Sequence, residues 1–126
     1  MAKKIMLALL LLLMIGGSIL QNHYVDNATM ELTRDLEQVK TALENDDFAL
    51  AAEAADTFCA NWEKEKRKFE ALFEHKEVDS ISAAAKSLQS YCHTGAKEEA
   101  LAHISAAAFY INHIKDIDTL EWENVF

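Results

Sequence analysis

Proline is missing from all 126 residues, and after Gly17 the only glycine is Gly95. Sheet proteins reverse direction every few residues and need turn formers to do so, so a β-fold is excluded. Positive charge is scarce as well, with 12 lysines and arginines against 21 acidic residues. Every acid lies from Asp26 onward, where only ten bases remain, giving that stretch a formal charge of −11. A surplus of that sign repels phosphate backbones and excludes a nucleic-acid partner.

Several chemistries lack their residues. Covalent haem needs Cys-x-x-Cys-His, and Gln89-Ser90-Tyr91-Cys92-His93 lacks the first cysteine. Di-iron bundles use Glu-x-x-His on two helices, whereas Glu99 and His103 are four apart and have no counterpart. There is no glycine-rich phosphate loop and no nucleophile spaced from a base. The expectation is a protein that is not an enzyme and carries no cofactor and no metal.

The longest charge-free run, Ile5–Leu20, reads IMLALLLLLMIGGSIL behind Lys3 and Lys4. As a helix it would span about 24 Å, and about 31 Å if continued to Val25. A hydrocarbon core is ~30 Å thick, so the longer stretch reaches across. Two readings stay open: an uncleaved signal anchor, or a signal peptide cut after Ser18, with Gly16 and Ser18 as the small residues. Either divides the chain into residues 1–25 and a domain of residues 26–126. Either also leaves the basic N-terminus in the cytoplasm and the domain outside it, membrane-bound if the anchor stays and secreted if it is cut.

Alanine, leucine, glutamate and lysine, all good helix formers, dominate the remainder, and the fold class is all-α. Leu32, Leu36, Val39 and Leu43 predict a first helix from Asn27 to Glu44, capped by Asn27 or Thr29. Asp46 or Asp47 caps a second, Phe48–Glu74, with Phe58, Trp62, Phe69 and Phe73 on one face. His75-Lys76-Glu77 is the expected turn into a third helix ending near Cys92. Gly95 suits a left-handed cap before a fourth, in which Ala100, Ile104, Ile111 and Ile114 recur. The pattern weakens after Lys115.

Short connections make antiparallel neighbours, so the domain is four helices in two hairpins, either a bundle or a tetratricopeptide-like stack. An echo supports two hairpins. Asp46–Phe58 aligns without gaps on Lys97–Phe109, and at a slightly different offset Leu32, Val39 and Leu43 fall on Ile81, Leu88 and Cys92. Duplication and convergence on one packing period both account for it.

Two sets of residues are candidate sites. Cys59 and Cys92 lie equally far from a turn at His75-Lys76, which would set them level; they are then a disulfide, or else two buried thiols. Phe58, Trp62 and Phe69, with His75 near the turn, form an aromatic stripe that is either core or the lining of an interaction or ligand groove. The run Glu63-Lys64-Glu65-Lys66-Arg67-Lys68 reads as a solvated surface with local ion pairs.

The order of these features resembles a family of small, signal-anchored bacterial helical proteins described as a domain of unknown function. The resemblance rests on Lys-Lys before an apolar run with Gly16-Gly17 and an acidic, Leu-rich first helix. It continues in Asp47-Phe48, Trp62-Glu63-Lys64, His75 before Glu77-Val78 and Ile81, and the closing Leu120 with Asn124-Val125-Phe126. It implies architecture and location, not a reaction. The expected role is a membrane-tethered, extracytoplasmic helical module, an accessory or partner of an envelope or integral-membrane protein. The competing reading is a sensor or carrier of a small apolar ligand.

Overall fold

The computed structural model describes the backbone of residues 1–125 and the side chains of residues 1–120. Four helices, α1 (Ala2–Glu44), α2 (Phe48–Leu72), α3 (His75–Thr94) and α4 (Lys97–Val125), account for nearly all of it. Helix α1 packs on α2 and α4, and α3 packs on the same two, while among the described residues the backbones of the diagonal pairs stay apart. The contact between first and last helices closes the ring, so the arrangement is an antiparallel bundle, not an open repeat stack.

Helix α1 differs from expectation. It runs unbroken from the apolar segment into the core, about 64 Å in all. Neither Asn27 nor Thr29 caps it, because a helix already under way presents no orphan N–H groups there. Instead the Asn27 amide meets the His23 ring at 3.2 Å, and the buried Thr29 hydroxyl donates to the Val25 carbonyl at 2.9 Å. Gly16 and Gly17 lie inside the helix without breaking it. The run before Gln21 is solvent-facing, with Leu13 78% exposed, whereas Val25, Leu32, Leu36, Val39 and Leu43 are buried.

The connections explain the register. The Asp47 side chain accepts from the Leu50 N–H at 3.1 Å and caps α2. Phe73 is extended, and the turn into α3 falls at Phe73–Glu74, so His75 opens α3 instead of lying in the turn. Gly95 is left-handed (φ 73°), with Ala96 N–H donating to Tyr91 O and Gly95 N–H to Cys92 O. Asp46 (φ 55°) ends α1 in the same way, through Asp47 N–H to Ala42 O and Asp46 N–H to Leu43 O. Helix α4 continues past Lys115 to Val125. The closing Leu120–Phe126 pattern lies, beyond Leu120 itself, outside the described side chains.

These two helix ends are 49 positions apart, and so is the rest of the core. Leu32, Leu36, Val39 and Leu43 are matched by buried Ile81, Ala85, Leu88 and Cys92 at that offset. Ala51, Ala55, Phe58 and Trp62 are matched by buried Ala100, Ile104, Ala107 and Ile111. The sequence echo in the second helices, which equates Phe58 with Phe109, is therefore two residues out of register. Phe58 is fully buried and Phe109 is 65% exposed.

Candidate functional site

Follow the repeat to the base of the bundle and it meets a polar residue. Phe69 is fully buried on α2, and the residue 49 positions later is Asp118 on α4, only 4% exposed. Gln21, at the first packed turn of α1, donates from Nε2 to Asp118 Oδ1 at 3.2 Å. Among the described residues nothing donates to Oδ2. Burial pushes the Asp118 carboxyl up, the Gln21 bond pulls it partly back, and the Asp26 carboxylate adds to the rise.

Around Phe69 the same floor is aromatic. The Phe69 ring makes edge contacts with Tyr24 (6.2 Å), Trp62 (5.6 Å) and Phe73 (5.7 Å). The Tyr24 hydroxyl donates to the Glu65 carboxylate, and burial together with that bond holds the phenol protonated well above its ordinary range. The Lys68 ammonium lies 5.1 Å from the Tyr24 ring centre, within cation–π reach. The floor thus lies where the apolar segment of α1 enters the bundle, and both polar side chains it takes from α1, Gln21 and Tyr24, come from the first packed turn.

The stripe of Phe58, Trp62 and Phe69 is core. All three are at most 1% exposed, and Trp62 Nε1 donates to Ser82 Oγ at 2.9 Å. The rings fill the space that a ligand groove among them would need, and His75 is exposed at the start of α3, apart from their buried face.

Both cysteines carry free thiols. Because the turn precedes His75, Cys59 stands level with Ala85, donating to its carbonyl at 3.3 Å, and Cys92 lies further along the hairpin. Burial pushes the Cys59 thiol up to about 11, with Asp56 and Glu63 adding to it, and burial raises Cys92 too. Neither is an activated nucleophile.

Near them Asp56 accepts from Gln89 Nε2 (2.8 Å) and pairs with His93 Nε2 (2.7 Å), and those two bonds lower its carboxyl. This is an exposed clamp between α2 and α3. Among the described residues no three His, Cys, Asp or Glu side chains gather as metal ligands. A shallow surface groove of about 430 Å³ lies between α1 and α2 at the far end from the apolar segment, lined among others by Thr41, Ala42, Leu50 and Ala54.

Sequence patterning missed the floor. Asp118 follows the point where hydrophobic periodicity fades, and Gln21 and Tyr24 fall in the charge-free continuation of the apolar run to Val25. The signal that finds Asp118 is the repeat at its correct offset, which puts it where a phenylalanine belongs.

Fold and floor together define a class: a closed four-helix bundle continuous with an N-terminal helix long and apolar enough to cross a membrane. Within it, the chain belongs to the family described as domain of unknown function DUF4363, whose profile matches residues 19–125. The match begins inside the apolar run and takes in both Gln21 and Asp118. No curated protein and no solved structure matches.

Proposed function

We propose that the chain is a non-enzymatic, membrane-tethered helical module that works outside the cytoplasm as an accessory or interaction partner of an envelope or integral-membrane protein. The observation that carries this is the continuity of α1. The apolar segment and the bundle share one helix with no linker, which suits a module held at a fixed height and orientation above a bilayer. Lys3 and Lys4 before the apolar segment favour a cytoplasmic N-terminus. The segment is read as retained, not cut after Ser18, because its helix serves as the bundle's support.

Two experiments on the full chain in intact cells test the reading. Met30→Cys, placed on an exposed position above the floor, should react with a membrane-impermeant maleimide. A photo-crosslinking residue at Leu50, beside the distal groove, should give the same discrete adduct in repeated preparations. A protected Met30→Cys, or only a smear of random neighbours from Leu50, would count against it.

A further inference from the structure

The charge of the domain is confined to part of its surface. Residues 100–114 contain no formally charged side chain, histidine counted as neutral, and residues 80–94 contain one, Lys86. The matching windows 49 positions earlier, 31–45 and 51–65, contain eleven. Lys86 turns toward α2, where it flanks a pocket with Asp56 and Glu63. What the α3–α4 side exposes instead is small and neutral, including Ala83, Ala102, Ser105 and Asn112. It also exposes the ring of Phe109, whose counterpart in the first hairpin is Ala60.

Beside Phe109 a hollow of about 270 Å³ opens between α3 and α4, lined by Ser80, Ala83, Ala84, Ser87, His103 and Tyr110. Knob and hollow share one height. His113 lies 3.7 Å from Glu77, and the His103 ring lies 5.0 Å from that of Tyr91. Ala84, midway along α3 between those contacts, is therefore level with Ala108, and Phe109 stands beside it pointing away from the core. An apolar knob and a small-residue hollow at the same level are self-complementary under a two-fold axis along the bundle. Two copies held upright in one bilayer have that axis open to them.

We propose that the α3–α4 face pairs with the same face of a second copy of this chain, each Phe109 ring seated in the other copy's hollow. The orientation rests on the membrane reading of residues 5–20. Charge favours this face over the others, since two domains of −11 repel wherever their carboxylates meet. Glu98 and Asp116, which bound the face on α4, stand about 16 and 10 Å from Phe109 along the helix. Both lie beyond the ~8 Å screening length at physiological salt. Lys76 and Asp79, at its lower edge on α3, are of opposite sign. Each window is about 22 Å long and two helices are about 20 Å wide, so the contact covers roughly 450 Å² a side. A stable soluble dimer buries ~800 Å² a side. The pairing therefore belongs to the membrane, where a shared bilayer raises the effective concentration, and the chain in dilute detergent is a monomer.

The test uses the full chain with Cys59→Ala and Cys92→Ala in liposomes of phosphatidylcholine and phosphatidylglycerol, oxidised with copper phenanthroline. Ala102→Cys, two turns from Phe109 on the same face, should give at least tenfold more disulfide-linked dimer than Glu53→Cys, the matching exposed position of the first hairpin. Adding Phe109→Ala or Ala83→Glu to Ala102→Cys should cut the yield about tenfold, as expected for an interface anchor, with the helical circular dichroism unchanged. Ala60→Glu places the same charge on the first hairpin and should leave the yield within twofold. Equal yields from Ala102→Cys and Glu53→Cys would mean random collision and overturn the proposal. So does a yield indifferent to Phe109→Ala and Ala83→Glu. An Ala102→Cys chain that stays monomeric in liposomes but forms a discrete adduct with another protein in intact cells assigns the face to that protein and overturns it as well. Failure of the membrane reading looks different: the chain would then not float with the liposomes.

Discussion

Asp118 takes in the second hairpin the core place that Phe69 takes in the first, 49 residues earlier, and its one donor among the described residues is Gln21 from α1. A carboxylate in a phenylalanine position is costly when ionised. Its raised folded-state pKa means that the folded state holds the proton more tightly than the unfolded one. Stability therefore rises as pH falls through the folded-state value, and the gain is complete below the unfolded value near ~4. Asp118→Leu should stabilise the full chain in detergent by about 1–3 kcal/mol at pH 7.5, the cost of an unsatisfied buried polar group. That advantage should shrink by pH 4. Denaturant midpoints at the two pH values check it, and a destabilised Asp118→Leu at pH 7.5 would show that the carboxylate is fully partnered.

The 49-residue register makes a paired prediction. Phe58→Ala empties a core position and should cost about 3–5 kcal/mol. Phe109→Ala, its partner in the sequence echo, removes an exposed ring and should stay within about 0.5 kcal/mol. Similar losses from both, measured by the same denaturant titration, would restore the echo and displace the burial-based register.

Thiol chemistry gives a third. With Cys59 pushed up to about 11, its thiolate fraction at pH 7.5 is roughly three-hundredfold below that of an unperturbed thiol near 8.5. Native protein prepared without reductant should add iodoacetamide slowly, and denatured protein should quickly take two equivalents. A denatured sample that takes none without reductant would mean that Cys59 and Cys92 are joined.

The unbroken α1 is open to a direct distance measurement. Spin labels at Leu12→Cys and Met30→Cys, with Cys59 and Cys92 replaced by alanine, span 18 residues and should lie about 27 Å apart along the axis. Their distance distribution should be narrow. Asn22→Pro should broaden it, because proline breaks the helix at a cost of about 3 kcal/mol. A broad distribution in the parent would show a joint between the apolar run and the bundle.

Much of the bundle was legible before any coordinates. Missing proline and glycine left only helices, and the stripes Leu32–Leu43 and Ala100–Ile114 marked their buried faces. Gly95 and Asp47 behave as their chemistry suggests, because turn residues act locally. What escaped was set by the tertiary arrangement. Asn27 looked like a helix start because its side chain can cap, but capping matters only where N–H groups are unpaired. Moving the second turn from His75 back to Phe73–Glu74 shifted the hairpin register by about one helical turn, enough to separate Cys59 from the level of Cys92. Phe109 resembled a core residue by identity alone, and burial assigns that role to Ala107. Asp118 was invisible because a carboxylate in a fading pattern reads as surface.

If the apolar segment is held in a bilayer, the helix it shares with the bundle is also a lever. From Leu20 to Glu44 that helix rises about 36 Å beyond the apolar run. Transmembrane helices change tilt as bilayer thickness changes, and a change of about 10° would swing the far end of the bundle sideways by roughly 6 Å. A jointed tether would absorb that motion at its linker. This chain would deliver it to whatever sits beside Leu50.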